Sequence, residues 1–410
     1  MKFVVATYGT EGDVRPLAAL CRALMDAGHE ATLLADRATL GIAQTLGVPA
    51  RALSGDIKGT LDPSAAISNV VGKDHGLNST AKALAGIANA NAETWLREIV
   101  DAAEGSDALI VSALAAFVGL SAAEHLGIKA VGVGFIPLSP TAEFASPFLP
   151  PSRVPHALNR LSHTFVNAML WRAFRKATND ARAKVCGLPA RKKNWTTHPM
   201  LYGVSPSLVA PPSDWPANAH VCGQWLPPEG SWSPPEALTE FLAAGDAPVY
   251  VGFGSMVGFD RKALLSEVVA AVGGRRVLFY PGWSGIEGLD LPGNFHVLGD
   301  TPHAWLFPKV SAVIHHGGSG TSHSAARAGV PSVVVPFAGD QWFWADRLRR
   351  AGVAAQAVSG HRLSASALAR AIEYAGQAQV LSRARQLGER MRTENGLVVA
   401  TNTLEAIMAA

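Results

Sequence analysis

Cysteine is nearly absent: Cys21, Cys186 and Cys222 are spread through 410 residues with no CxxC pair. That excludes a disulfide framework and a cysteine zinc site, and it points to a reducing compartment. Charge is sparse too. Charged residues make up 16% of the chain and the formal net charge is +3, too mild a balance to argue for a nucleic-acid partner, and no dense Lys/Arg stripe stands out. The longest uncharged apolar run, ALIVSALAAFVGLSAA at 108–123, is broken by Gly and Ser and falls short of a membrane span. The opening MKFVVATYG has too little apolar length for a signal peptide. Also missing are GxGxxG, which argues against a dinucleotide oxidoreductase, and GxxxxGK[ST], which argues against a nucleoside triphosphatase. No Asp-x-Asp pair offers a divalent metal to a diphosphate. The expectation is a cytoplasmic protein with no metal site, no cofactor and no transmembrane segment.

What is present suits a large core. The chain is 48% hydrophobic, and its length fits two ordinary domains. The first half alternates strand and helix: strands at 3–9, 30–35, 108–112 and 130–135, with helices from Pro16 to Ala27 and around 116–126. Residues 54–80 read as a long polar loop, and 156–186 as a helical segment. A Pro- and Trp-rich stretch follows, and the pattern restarts with strands at 248–255, 276–282, 295–299, 312–316 and 332–337. The expected fold class is α/β, with two doubly wound Rossmann-like domains facing across a cleft. The expected division is 1–205, a connection at 206–235, 236–385, and a helical segment 386–410 that packs back on the first domain.

Residues 313–341, VIHHGGSGTSHSAARAGVPSVVVPFAGDQ, carry the strongest signal. A buried strand ends at His315, a glycine turn follows, and Thr321–Ala328 reads as a helix stopped by Gly329. A helix N-terminus flanked by backbone N–H groups favours an anion, and His315, Ser319 and Thr321 could add donors. Asp340 and Gln341 end the next strand on the same edge of a parallel sheet. A carboxylate suits sugar hydroxyls rather than phosphate, so the stretch suggests a diphosphate and a polyol side by side. Glycine turns of this kind also occur for packing alone, and His323 reads as a surface or helix-packing residue.

GTEGDVRP at 9–16 leaves the first strand and enters a helix, with Pro16 placed in the first turn. Asp13 stands at the carboxyl edge, either as a helix cap or as a base. GFGSM at 252–256 offers Ser255 and its neighbouring N–H groups to a phosphate oxygen.

Taken together, GTEGDVRPLAALCRALMDAGHEATLLAD, GFGS and HHGGSGTSHSAARAGVPSVVVPFAGDQWFWADRL resemble the inverting UDP-glycosyltransferase superfamily with the GT-B fold. The likeness is to its sterol glucosyltransferase-like and glycopeptide-antibiotic branch. The resemblance implies that His315, Gly318, Ser319, Gly320 and Thr321 hold the diphosphate, with Ser255 and Thr10 nearby. It implies that Asp340 and Gln341 bind hexose hydroxyls, that Trp283 and the stretch around Val297 line the base, and that the first domain binds the acceptor. Many members place a catalytic histidine in the first glycine loop. Here the first histidine is His29, beyond the helix, and Asp13 matches the aspartate of a bacterial branch. The implied activity is metal-independent hexosyl transfer from UDP-glucose or a dTDP-sugar, with Asp13 as base and His315 meeting the charge of the leaving diphosphate. Aromatics such as Phe144, Phe148, Phe165 and Trp171 suit a hydrophobic acceptor, or serve as core. The basic 156–184 helix suits a membrane surface, an acidic acceptor or plain solvent. The rival readings are a non-catalytic nucleotide-sugar-binding relative that activates a partner, an oxidoreductase, and a nucleotide-sugar isomerase.

Overall fold

The computed structural model describes residues 1–61, 77–228, 230, 232–254, 260–282 and 290–410. Two parallel sheets organise it. The first holds β1 (Lys2–Tyr8), β2 (Glu30–Asp36), β3 (Ala50–Leu53), β4 (Ala108–Ala113), β5 (Lys129–Gly134), β6 (Met200–Tyr202) and β7 (Ala219–Val221), in the order β3-β2-β1-β4-β5-β6-β7. The second holds β8 (Val249–Gly252), β9 (Val277–Tyr280), β10 (Phe295–Val297), β11 (Ala312–His315) and β12 (Ser332–Val334), in the order β10-β9-β8-β11-β12. The registered pairings in both sheets are parallel.

The central strands are largely apolar because both of their faces are covered by helices. In β1, Phe3 and Val5 enter one core with Leu17, Leu20 and Leu24 of the helix Glu11–Asp26. Their neighbours Val4, Ala6 and Tyr8 enter another, with Trp95, Leu96 and Ile99 of the helix Leu77–Ala103. The second sheet repeats the division: Val249 and Val251 face one core and Tyr250 the other. A fully buried Leu, such as Leu17 at 0% exposure, contributes about 1.5–3 kcal/mol to such a core.

Several elements differ from the sequence reading. The first helix starts at Glu11, five residues before Pro16. Thr10 and Asp13 form a capping box that nucleates the helix early, so Pro16 lies inside it rather than at its first turn. Of the expected loop 54–80, Ile57–Leu61 forms a short helix, 77–80 begin the helix Leu77–Ala103, and 62–76 lie outside the described residues. The stretch 206–235 is more than a connection, since β7 within it pairs with β6 at the edge of the first sheet. The helix Ala378–Thr393 packs on the helix Ser319–Ala328. The helix Gly396–Ala409 crosses to the first domain instead, where Ala400 and Leu404 join the core of β1. There Lys129 Nζ donates to the carbonyls of Ile407 and Met408 at 2.8 and 3.2 Å.

Candidate active site

In each sheet the strand order reverses once, between β1 and β4 and between β8 and β11. Ligands of open α/β sheets bind at the carboxyl ends of the strands beside such a switch point. The GTEGD loop leaves β1, and the HHGGSG turn leaves β11. The two glycine-rich segments of the sequence therefore occupy the two switch points.

On the first side the geometry centres on Asp13. Its Oδ2 accepts from the Thr10 N–H at 2.9 Å, with Thr10 as N-cap. Gly9 is required beside it, because a Cβ at position 9 would lie 2.2 Å from Asp13 Oδ2. Burial pushes the Asp13 carboxyl up to about 6, the negative charge of Asp340 adds to the rise, and the Thr10 N–H opposes it. Asp340 belongs to the other domain, at the start of the helix Gln341–Arg350. Its Oδ2 accepts from Trp344 Nε1 at 2.8 Å, and burial also raises it to about 6. The charge of Asp340 thus reaches the Asp13 carboxyl from the opposite domain.

On the second side His315 ends β11, fully buried. Its Nδ1 accepts from the Gly317 N–H at 3.1 Å, which places the ring proton on Nε2. That Nε2 is buried without a partner among the described residues, and burial holds the ring neutral, its pKa well below the usual histidine range. Gly317 takes φ +92°, and a Cβ there would strike Val334 and the Gln341 carbonyl. The helix Ser319–Ala328 then starts from Gly318 with no side-chain cap and no acidic residue in its first turn. The first N–H groups of a helix have no acceptor within it, so Ser319, Gly320 and Thr321 present donors at a positive dipole end. The His316 ring wedges between Gly254 and Gly318, with burial lowering it to about 4.

The remaining expected site residues fall as follows. Gln341 is buried, and its Oε1 accepts from the N–H groups of Phe337 and Ala338 at 2.7 and 3.0 Å, clamping the turn before Asp340. Val297 is 37% exposed at the carboxyl end of β10, on the same sheet edge as His315. Ser255 and Trp283 lie outside the described residues. His323 is not at the surface. It is 1% exposed, its Nε2 accepts from the Ser205 N–H at 3.0 Å, and its Nδ1 donates to the Ser319 carbonyl at 2.8 Å. It therefore ties the end of the first domain to the helix of the diphosphate turn.

Two features of the cleft carry no local sequence signal. Arg15 reaches across to Asp300 at 3.2 Å while also pairing with Glu11 at 3.0 Å. Ala113, opposite Tyr8 at the end of β4, takes φ +49°, a left-handed conformation that costs a non-glycine residue about 1–3 kcal/mol. Only the fold brings Arg15 to Asp300, and alanine does not announce a left-handed backbone.

Comparison with known proteins bears on the fold. Residues 263–396 match the family described as Erythromycin biosynthesis protein CIII-like, C-terminal domain. The chain is 33% identical over 428 residues to a sterol 3-beta-glucosyltransferase of Emericella nidulans, covering 98% of this chain and 30% of that protein. It thus spans about a third or less of the length of the curated relatives it matches. The glycosyltransferase VinC in complex with dTDP superposes with a TM-score of 0.68 at 19% identity over 100% of both chains. The spinosyn rhamnosyltransferase SpnG complexed with thymidine diphosphate gives 0.68 at 21% identity, over 99% of this chain and 100% of that one. Likeness at these identities speaks for the fold, and the fold is GT-B: two doubly wound domains meeting at their carboxyl edges. Within that class the likeness in sequence is to sterol 3-beta-glucosyltransferases, and over residues 263–396 to the erythromycin biosynthesis protein CIII-like C-terminal domain.

Proposed function

We propose that this protein is an inverting, metal-independent glycosyltransferase. It would move a hexose from UDP-glucose or a dTDP-sugar to a hydroxyl of a hydrophobic small molecule such as a sterol, lipid or natural product. The observation that carries the reading is the opposition of Asp13, its carboxyl near 6, to Asp340 and the uncapped Ser319 helix of the other domain. Glucose and a sterol are favoured by the names of the sequence relatives, and a dTDP-sugar by the ligands of the two structural neighbours.

In this reading the diphosphate lies against the N–H groups of Ser319, Gly320 and Thr321. His315 donates from Nε2, and Asp340 accepts from hexose hydroxyls. Each donor is fixed before the reaction, so charge that develops on the leaving diphosphate meets preorganised dipoles. The acceptor oxygen attacks the anomeric carbon on the side of Asp13, and the Asp13 carboxylate takes its proton. The bond from the anomeric carbon to the diphosphate oxygen breaks, the electron pair leaves with the nucleoside diphosphate, and the configuration inverts. A carboxyl near 6 is still ionised at pH 7, yet it is a stronger base than an ordinary aspartate.

The first test is thermal stabilisation by UDP and by dTDP, without added metal. A nucleotide at about 100 times its Kd adds roughly 2.7 kcal/mol. Stabilisation by one of them supports the donor site and selects the sugar to assay with and without a sterol acceptor. No shift from either at millimolar concentration overturns the reading. Turnover that survives a chelator tests metal independence separately.

A further inference from the structure

We propose that the helix Asn159–Ala181, with the basic loop beside it, is a docking surface for an anionic lipid bilayer. The residue before this helix and three within it, Leu158, Leu161, Phe165 and Met169, are 46%, 61%, 58% and 50% exposed. Their spacing of three and four residues sets them on one helix face. The opposite face is committed to the protein interior through His163, Val166, Trp171 and Thr178. Single exposed apolar residues are ordinary on a protein surface, but a contiguous stripe marks an interaction site.

Charge identifies the occupant. The same face continues into Arg172 and Lys176, both exposed. Trp171 Nε1 donates to the Lys192 carbonyl at 3.1 Å, and Asn179 exchanges bonds of 3.1 and 2.9 Å with Arg191. These bonds hold the exposed Lys192 and Lys193 beside the basic end of the helix. Between residues 151 and 193 there are ten Lys and Arg and a single acid, Asp180, in a chain whose net charge is only +3. Lys176 pairs with Asp180 and Arg160 with Asp214. Among the described residues Arg172, Arg175, Lys192 and Lys193 have no acidic partner. A nucleic acid would meet these charges but not the four apolar side chains. A bilayer with anionic headgroups meets both: apolar side chains enter the acyl boundary and cations stay with the phosphates.

The position suits the proposed reaction. The first turns of the helix are pinned to the segment 142–146: Asn159 Nδ2 donates to the Ala142 carbonyl at 2.9 Å, and the Ser146 N–H donates to Ser162 Oγ at 2.8 Å. Phe144 of that segment packs on Phe343 with ring centres 5.3 Å apart, in the helix that begins after Asp340. A bilayer on the stripe would lie close to the cleft, where a membrane-resident acceptor could enter. That purpose rests on the glycosyltransferase reading, whereas the docking itself is measured without turnover.

The test is co-sedimentation of the full chain with phosphatidylcholine vesicles, with and without phosphatidylglycerol. The expected result is binding to the anionic vesicles that weakens with salt and is at least about tenfold poorer on neutral ones. Phe165→Ser with Met169→Ser should lose the binding with an unchanged melting temperature. Arg172→Gln and Lys176→Gln should each weaken it about fivefold. Absence of vesicle binding at low salt, or binding unaffected by these variants, overturns the proposal. So does self-association in buffer that the Ser variants abolish, which would make a second copy the occupant.

Discussion

Replacing Asp13 by Asn keeps an acceptor for the Thr10 N–H and removes the base. In the proposed mechanism kcat/KM should fall by about two to four orders of magnitude, with stabilisation by the nucleotide intact. The pH profile gives the sharper test. Asp13 is raised from an ordinary value of 3.8 to about 6, first by burial and then by the charge of Asp340. Each pH unit is worth about 1.4 kcal/mol, so ionising Asp13 in the fold costs about 3 kcal/mol at most. Solvent at the partly exposed carboxylate reduces that figure. The wild-type kcat/KM should therefore climb with pH and level off above about 6. Asp340→Asn leaves an oxygen for Trp344 Nε1 but deletes the like charge. The limb should then move to lower pH by less than the full displacement, because burial is the larger cause. Loss of sugar contacts in the same variant lowers the height of the profile, not the position of its limb, so the two effects separate. The assay is initial rate at low donor concentration between about pH 5 and pH 8. A limb that persists in Asp13→Asn, or one that Asp340→Asn leaves in place, would refute the reasoning.

Gly9→Ala should imitate Asp13→Asn, since its Cβ would displace the Asp13 carboxylate from the capping box; rates should fall comparably, with about 1 kcal/mol lost from the helix cap, read by thermal melting. Stability should also respond to pH with opposing signs. Burial depresses His303, His316 and His323 to about 4 and His315 as well, so their contribution is full above about 6.5 and is lost as pH falls towards 4. Asp13 and Asp340 are raised, so theirs is present below about 4 and is lost as pH rises through about 6. Four groups outweigh two, and the melting temperature should drop on acidification; a rise would contradict the buried neutral histidines. His323→Ala should cost about 2–4 kcal/mol by stranding the Ser205 N–H and opening a void, and it should blunt the acid limb.

The residues of the proposed donor side could be grouped from the sequence because they are local. Main-chain donors, the glycines that expose them and Asp340 all fall within one unbroken stretch, so a linear reading can assemble them. Asp13 was legible for the same reason, although its capping role with Thr10 hid where the helix begins and misplaced Pro16. The missed elements are those whose identity depends on neighbours. β3, β6 and β7 are three or four residues long, and β3 and β7 also carry Arg51 and His220, so they are too short to outweigh loop signals until a strand edge is offered to them. Asn78 and Ser79 read as loop, yet packing of Trp95, Leu96 and Ile99 holds a 27-residue helix that runs back through them. His323 takes the helix-packing one of its two readings, buried by a contact 118 positions away, whereas the apolar stripe consists of apolar residues that the fold leaves uncovered. Sequence pattern records which faces could be buried, whereas only the assembled fold records which faces were. The basic character of the 156–184 helix is already legible in the sequence, whereas the apolar face left open beside it is seen only in the assembled fold, and the proposed docking rests on that exposure.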